Sequence, residues 1–183
     1  MRTKTRLTAA AACLLSVLPT LALAQQGPTL EVTLNFIRDK LAAEGSVAYT
    51  SSVTDSTDGH SWSNQFSNRI SNIEPDAASC RLSYHWVLVQ NGQTDLDTTG
   101  KLPLNQVTDV QMMSMESALQ KADTVAGHTT WTSRVNPPIW VIHAMWNNSY
   151  NTFYFPDEDT ADRVAKAFAH AAQLCGGMKA EPF

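Results

Sequence analysis

The sequence predicts an α+β protein in which about seven short antiparallel strands form a barrel or an orthogonal sandwich, with an N-terminal helix and a C-terminal capping helix. Apolar residues recur at helical spacing near both ends of the chain, whereas apolar and polar residues alternate between them. Short turn sequences separate the alternating segments, and none of the segments between them has the pattern of a helix long enough for a parallel crossover. We therefore expect antiparallel pairing throughout.

The first 24 residues have the pattern of a secretory signal peptide. Three basic residues precede an apolar run, residues 7–24, which ends in an Ala-Leu-Ala motif at Ala24. We expect cleavage after Ala24 and export, so that the mature protein is periplasmic or secreted. A retained membrane anchor and a lipid-modified N-terminus at Cys13 are the alternatives.

The mature chain is predicted to be one acidic domain. Cleavage would remove Arg2, Lys4 and Arg6 from the 13 basic residues and keep all 17 acidic residues, which gives a net charge near −7. Nucleic acid and anionic membrane surfaces are then poor partners, because both require a positive patch. No second apolar run reaches membrane length, so we expect no membrane insertion after cleavage. Residues 25–177 form the predicted domain and residues 178–183 a flexible tail.

The first elements are a helix and a strand pair. Thr29 can cap a helix that ends before Gly45 and whose apolar face consists of Leu30, Leu34, Ile37 and Leu41. Alternation begins at Val47, residues 55–59 form a turn, and residues 62–70 suggest a second strand with an irregularity.

The clearest strand is residues 80–90. Asn91-Gly92 then supplies a two-residue hairpin turn into a returning strand, residues 93–97. Residues 102–115 are expected to be partly extended, and residues 117–122 to form a helical turn. The buried face of the clearest strand consists of Cys80, Leu82, Tyr84, Trp86 and Leu88.

The remaining segments are three strands and the last helix. Residues 131–135 form one strand, and residues 139–146 and 150–155 form a hairpin. Asp157 is a good N-cap for the last helix, and two glycines after Cys175 end it. Phe168 is the one large residue in an otherwise small apolar stripe. Two ion pairs are expected one turn apart, between Asp159 and Arg163 and between Asp162 and Lys166.

Two cysteines remain after cleavage, Cys80 and Cys175. In an oxidising compartment they are expected to form one disulfide that closes a loop of about 95 residues. Two separately buried thiols are the alternative.

Three stretches, Asp76-Ala77-Ala78-Ser79-Cys80-Arg81-Leu82, Leu102-Pro103-Leu104 and "FPDEDTADRVAKAFAHAAQLCGG", resemble uncharacterised bacterial exported proteins with a barrel similar to pleckstrin-homology (PH) domains. The resemblance covers about residues 29–177. It implies two roughly orthogonal antiparallel sheets with the C-terminal helix capping one end. Phosphoinositide binding is not implied, because the segment from Gly45 to Cys80 holds a single basic residue, Arg69.

The sequence predicts no catalytic residues, metal ligands or cofactor. The five histidines show no metal-binding spacing, although His85 and His143 could converge from neighbouring strands. Asp95 and Asp97 share a strand face and are expected to be a solvated edge rather than a catalytic pair. The acidic run from Asp157 to Asp162 lacks the spacing of a calcium loop, and helix capping accounts for it.

Five tryptophans are many for this length, and aromatic side chains often line ligand sites. Trp131 and Trp146 lie beside polar turns and are the predicted ligand-binding residues, whereas Trp86 is expected inside. The predicted function is a non-catalytic binding module for a protein, a peptide or an envelope component. A small envelope hydrolase whose site assembles only in three dimensions is the alternative.

Overall fold

A computed structural model describes residues 27–179 as an α+β fold with two antiparallel sheets, eight strands and three α-helices. The predicted signal peptide and the end of the predicted tail, residues 180–183, lie outside the described residues. Within residues 27–179, no helix has the length and apolar character needed to cross a membrane.

In chain order the elements are α1 (Leu30–Glu44), β1 (Val47–Asp55), β2 (Ser61–Asp76), β3 (Arg81–Gln90), β4 (Gln93–Pro103), β5 (Val107–Ser114), α2 (Met115–Val125), β6 (Trp131–Asn136), β7 (Trp140–Trp146), β8 (Ser149–Phe155) and α3 (Glu158–Leu174).

The larger sheet has five strands in the order β4-β3-β2-β1-β6, and the smaller has three in the order β5-β7-β8. The two sheets are not closed into a barrel. The Asn151 side chain of β8 contacts the larger sheet, because it donates to the hydroxyl of Tyr84 in β3 at 2.6 Å and to the carbonyl oxygen of Lys101 in β4 at 3.4 Å. The α+β class and the antiparallel pairing are confirmed.

Strands β1 and β3 agree with the sequence, whereas β2 is longer than predicted and continues to Asp76. The irregularity expected within residues 62–70 lies further along the strand, as a bulge between Ser71 and Glu74 where Asn72 adopts a positive φ of 49°. Asn91 and Gly92 have φ values of 50° and 78°, which is the hairpin geometry expected of an Asn-Gly pair.

Two further elements are longer than predicted, and the strands number eight where about seven were expected. Strand β4 continues to Pro103 rather than ending at residue 97, because it pairs with the whole of β3. The expected helical turn at residues 117–122 is a full helix, α2. Its N-terminus is capped by Ser114, whose Oγ accepts from the backbone N–H of Ser117 at 3.1 Å.

The main core lies between α1, α3 and both sheets. Its largest fully buried side chains include Phe153, Phe155, Phe168, Leu82, Leu102 and Ile142. A smaller apolar cluster, formed by Val47, Tyr49, Val135 and Ile139, packs beneath α2.

Helix α3 has the predicted cap, face and end. The Asp157 carboxylate accepts from the backbone N–H of Thr160 at 2.7 Å, and this bond holds the pKa of Asp157 below its usual range. The helix ends at Leu174 with Cys175 as its C-cap, and Gly176 follows with a positive φ of 77°. The backbone N–H groups of Gly176 and Gly177 donate to the carbonyl oxygens of Gln173 and Ala172, which forms a Schellman motif.

One of the two predicted ion pairs on α3 forms. Lys166 pairs with Asp162 at 2.6 Å. The pair between Asp159 and Arg163 does not form, because the Arg163 guanidinium lies over the ring of Phe36, 5.5 Å from its centroid.

The disulfide between Cys80 and Cys175 is present, with the two Cα atoms 5.8 Å apart. Cys80 lies just before β3, and Cys175 is the C-cap of α3. Helix α3 packs on β5, β7 and β8 of the smaller sheet, so the bond joins that layer to the larger sheet.

Candidate functional site

The two tryptophans predicted to bind ligand lie in different sheets. Trp131 begins β6 of the larger sheet, and Trp146 ends β7 of the smaller one. The indole N–H of Trp146 donates to Asn151 at 2.6 Å, and Asn151 in turn donates to the hydroxyl of Tyr84 at 2.6 Å. Trp146 also packs against the main core, so its contacts are those of a structural residue.

Trp131 belongs to a surface group of four rings, which we call the aromatic cluster: His60, Trp62, His128 and Trp131. The imidazole of His128 stacks on Trp131 with ring centroids 3.7 Å apart and planes 3° apart. Trp62 meets Trp131 edge to face at 4.9 Å, and His60 lies 5.8 Å from Trp62. Both imidazoles are exposed and both indoles are half-buried.

Strand pairing positions the cluster. Val53 of β1 faces Trp62 across one ladder, and Asp55 of β1 faces Trp131 across the other. The Asp55 carboxylate also accepts from the Trp131 indole N–H at 3.1 Å, which fixes the ring. The pKa of Asp55 is lowered, chiefly by the hydrogen bond from the backbone N–H of Thr57, so this acceptor stays ionised.

The cluster combines ring faces with polar groups at the end of the larger sheet. The exposed imidazoles can donate or accept hydrogen bonds, and Asp58 adds an exposed carboxylate beside His60. Such a surface can stack against a flat or ring-shaped ligand and bond to polar groups at its edge. Sequence reasoning found Trp131 but missed Trp62, His60 and His128, because Trp62 and Trp131 meet only through the pairing of β1 with both β2 and β6.

The structure also assembles a serine, a histidine and an aspartate. Nε2 of His85 lies 2.7 Å from the Asp97 carboxylate, and Nδ1 lies 3.4 Å from the hydroxyl of Ser71. All three side chains come from the outer face of the larger sheet, and the Asp97 side chain is 61% exposed. Asp97, which the sequence places on one strand face with Asp95, is thus in contact with His85.

The histidines suggested to converge do not meet. His85 contacts Asp97 in the larger sheet, whereas His143 in the smaller sheet stacks on Tyr150 at 4.6 Å. Burial lowers the pKa of His143, with the positive charge of Lys121 as a second cause. Over residues 27–179, no group of three or more histidine, cysteine or acidic side chains is placed to hold a metal ion.

Trp86 was expected inside and is only partly buried. It packs against the main core, and its indole N–H donates to Asn68 at 3.2 Å. Among the described residues, the Asn68 Nδ2 atom is the one buried side-chain polar atom without a hydrogen-bond partner.

The fold and the cluster define a small α+β domain with an aromatic surface site and an interlayer disulfide. Comparison with known proteins adds no closer identity: no family model, no curated protein and no solved structure matches the chain.

Proposed function

We propose that this protein is an exported, non-catalytic binding module that recognises a saccharide chain of the cell envelope through the aromatic cluster. The observation that carries the proposal is the contact of Trp131 with both Trp62 and His128 on an accessible end of the larger sheet. Four rings in contact at a surface provide more apolar area than isolated surface residues usually do.

The chemistry of the cluster favours a saccharide over an apolar peptide. A sugar ring presents a face of C–H groups, which packs on an aromatic ring, and a rim of hydroxyl groups. Imidazoles and carboxylates are suitable partners for that rim, and here His60, His128 and Asp58 are exposed beside the indoles. An apolar peptide that covered these polar groups would displace their water and offer them no hydrogen bonds in return.

Titration calorimetry with soluble peptidoglycan fragments tests this proposal. We expect saturable binding that Trp62→Ala weakens by about tenfold, because a lost aromatic contact costs about 0.5 to 1.5 kcal/mol beyond the buried area. Trp146→Phe is the matched control outside the cluster and should bind as the parent does. Unchanged binding by Trp62→Ala, or binding of peptides but not glycans, would contradict the proposal.

Export and the PH-like architecture are part of the proposal. The disulfide supports an oxidising compartment, and we expect the exported protein to begin at Gln25 when its N-terminus is sequenced. Four consecutive antiparallel strands, a second three-stranded sheet and a C-terminal helix support an open PH-like barrel. Slow amide exchange along the edges of β4 and β8 would support that barrel, and fast exchange there would oppose it.

A small hydrolase is the second candidate, favoured by the contacts among Ser71, His85 and Asp97. In such an enzyme the Ser71 hydroxyl attacks an acyl carbonyl while His85 takes its proton. The exposure of Asp97 on an open sheet face makes this the weaker candidate. Hydrolysis of a chromogenic ester that is lost in Ser71→Ala but kept in Ser67→Ala, on the same strand face, would support it.

A further inference from the structure

A groove runs along the surface between α1 and α3. The helices lie side by side in opposite directions, because His170 near the end of α3 contacts Pro28 before α1, whereas Arg163 nearer its start covers Phe36. The groove has a volume of about 590 Å³. Small-molecule pockets are typically roughly 300 to 1,000 Å³, so it is large enough for a ligand.

The walls of the groove are apolar. Val32 and Phe36 lie one turn apart on α1, and Ala167 lines the groove from α3. Val32 is 58% exposed, and the small methyl group of Ala167 fills little of the space between the helices. The hydroxyl of Thr33, which also lines the groove, already donates to the carbonyl oxygen of Thr29 at 2.9 Å. An apolar ligand would therefore bury no unsatisfied group at Thr33.

The rim of the groove is basic although the chain has a net charge of −4. Lys166 and His170 line it, and Arg163 lies at the Phe36 end. Lys166 pairs with Asp162 on the surface, but an ammonium group has three donors, and such exposed pairs are weak. Nε2 of His170 donates to the Pro28 carbonyl oxygen at 2.9 Å, and Nδ1 can donate to a carboxylate in the imidazolium form, in which both ring nitrogens carry protons.

We propose that this groove binds a fatty acid of medium chain length. The alkyl chain would lie along Val32, Phe36 and Ala167, with the carboxylate at Lys166 and His170. The part of α1 from Leu30 to Phe36 is about 9 Å long, which is comparable with the length of one such chain. The charge of the rim complements a carboxylate, whereas an uncharged apolar ligand would gain nothing from it. This site shares no residue with the aromatic cluster, so the test of one proposal does not decide the other.

Titration calorimetry of the exported protein with dodecanoate, below the concentration at which it forms micelles, tests the groove. We expect saturable binding that Ala167→Leu weakens by about tenfold or more, because a few methylene groups in an apolar site change affinity by that factor. Ala43→Leu makes the same change at an exposed position of α1 and should bind normally. Val32→Asn is a second groove variant and should also weaken binding. Because Val32 is exposed, the variant should fold as the parent does.

The charge of the rim is tested with dodecanol, which has the same chain and no carboxylate. The double variant Lys166→Gln with His170→Gln should weaken dodecanoate binding and leave dodecanol binding unchanged, whereas Lys121→Gln on α2 should change neither. Four results would overturn the proposal: no saturable binding of dodecanoate, normal binding by both groove variants, equal affinity for dodecanol, or tighter binding of a single-chain phospholipid. Loss of a dimer in Ala167→Leu during sedimentation would instead assign the groove to contact between two copies of this chain.

Discussion

Three of the four tyrosines have hydroxyl groups whose ionisation is opposed by burial. Burial raises the pKa of Tyr49 to about 12 and also raises the pKa of Tyr84 and Tyr154. Tyr49 lies in the smaller apolar cluster beneath α2, where it stacks on Phe66 at 5.2 Å. A phenolate in that position would lack the solvation it has in the unfolded chain, so high pH acts directly on stability.

Alkaline titration is expected to destabilise the protein through these side chains. Between pH 10, the ordinary pKa of tyrosine, and pH 12, the unfolded chain releases the Tyr49 proton while the folded chain keeps it. The free energy of unfolding therefore falls as the pH rises through this window, by about 2 to 3 kcal/mol for Tyr49. Below pH 10 both states hold the proton and this contribution is constant.

Urea unfolding of Tyr49→Phe over the same pH range measures the effect. The variant should lose less stability than the parent between pH 10 and 12, because it has no hydroxyl at position 49 to ionise. Tyr150→Phe changes a side chain that is 56% exposed and serves as the control. If the free energy of unfolding falls equally with pH in Tyr49→Phe and in the parent, burial does not raise the pKa of Tyr49 and the prediction is wrong.

At the residue scale, sequence alone located candidate aromatic residues but not their neighbours. Trp131 was predicted from its position beside a polar turn, yet its partners His128 and Trp62 depend on a stacking contact and on a register between strands distant in sequence. Trp146 has a similar turn beside it, but Asn151 binds its N–H group. Local pattern indicates where a ring can be exposed, and only tertiary pairing decides which rings meet.

Helix α3 shows how much a single element's sequence can predict. Its cap, its buried face and its glycine end were all read correctly, because each depends on residues within a few turns of one another. The length of helix α2 was underestimated, because its contacts with β6 and with the smaller apolar cluster come from distant parts of the chain. The length of β4 was missed for the same reason, because its partner β3 determines where it ends.

Phe168 is expected to contribute most to the packing of α3. It is 1% exposed and stacks on Phe153 of β8 with centroids 4.8 Å apart. Phe168→Ala should lower the free energy of unfolding by about 3 to 5 kcal/mol, because small neighbouring alanines cannot collapse into the space. Leu174→Ala, 48% exposed on the same helix, should cost less than about 1 kcal/mol. Similar urea midpoints for the two variants would show that α3 is not a core element.

At the scale of the whole molecule, the two sheets are joined mainly through the helices. Helix α1 packs on β2 of the larger sheet and on α3, while α3 packs on the smaller sheet. The disulfide strengthens this arrangement, because it fixes the end of α3 to the residue before β3. The sequence placed both cysteines at element boundaries and predicted the bond between them, with two buried thiols as the alternative, and the bond is confirmed.

Removing the disulfide is expected to destabilise the whole fold rather than one strand. The bond closes a loop with a sequence separation of 95 residues. The chain-entropy model gives a loss of about 4 to 5 kcal/mol when a loop of this length is opened. The unfolded chain also becomes more expanded, so the dependence of the unfolding free energy on urea should become steeper.

Urea unfolding with and without a reductant separates this effect from ordinary packing losses. The double variant Cys80→Ala with Cys175→Ala should be less stable than the oxidised parent and indifferent to reductant. The parent should approach the stability of that variant once its disulfide is reduced, because the two chains then differ by only two sulfur atoms. A parent protein that unfolds identically with and without reductant would have two free thiols, and the disulfide would then no longer support export into an oxidising compartment.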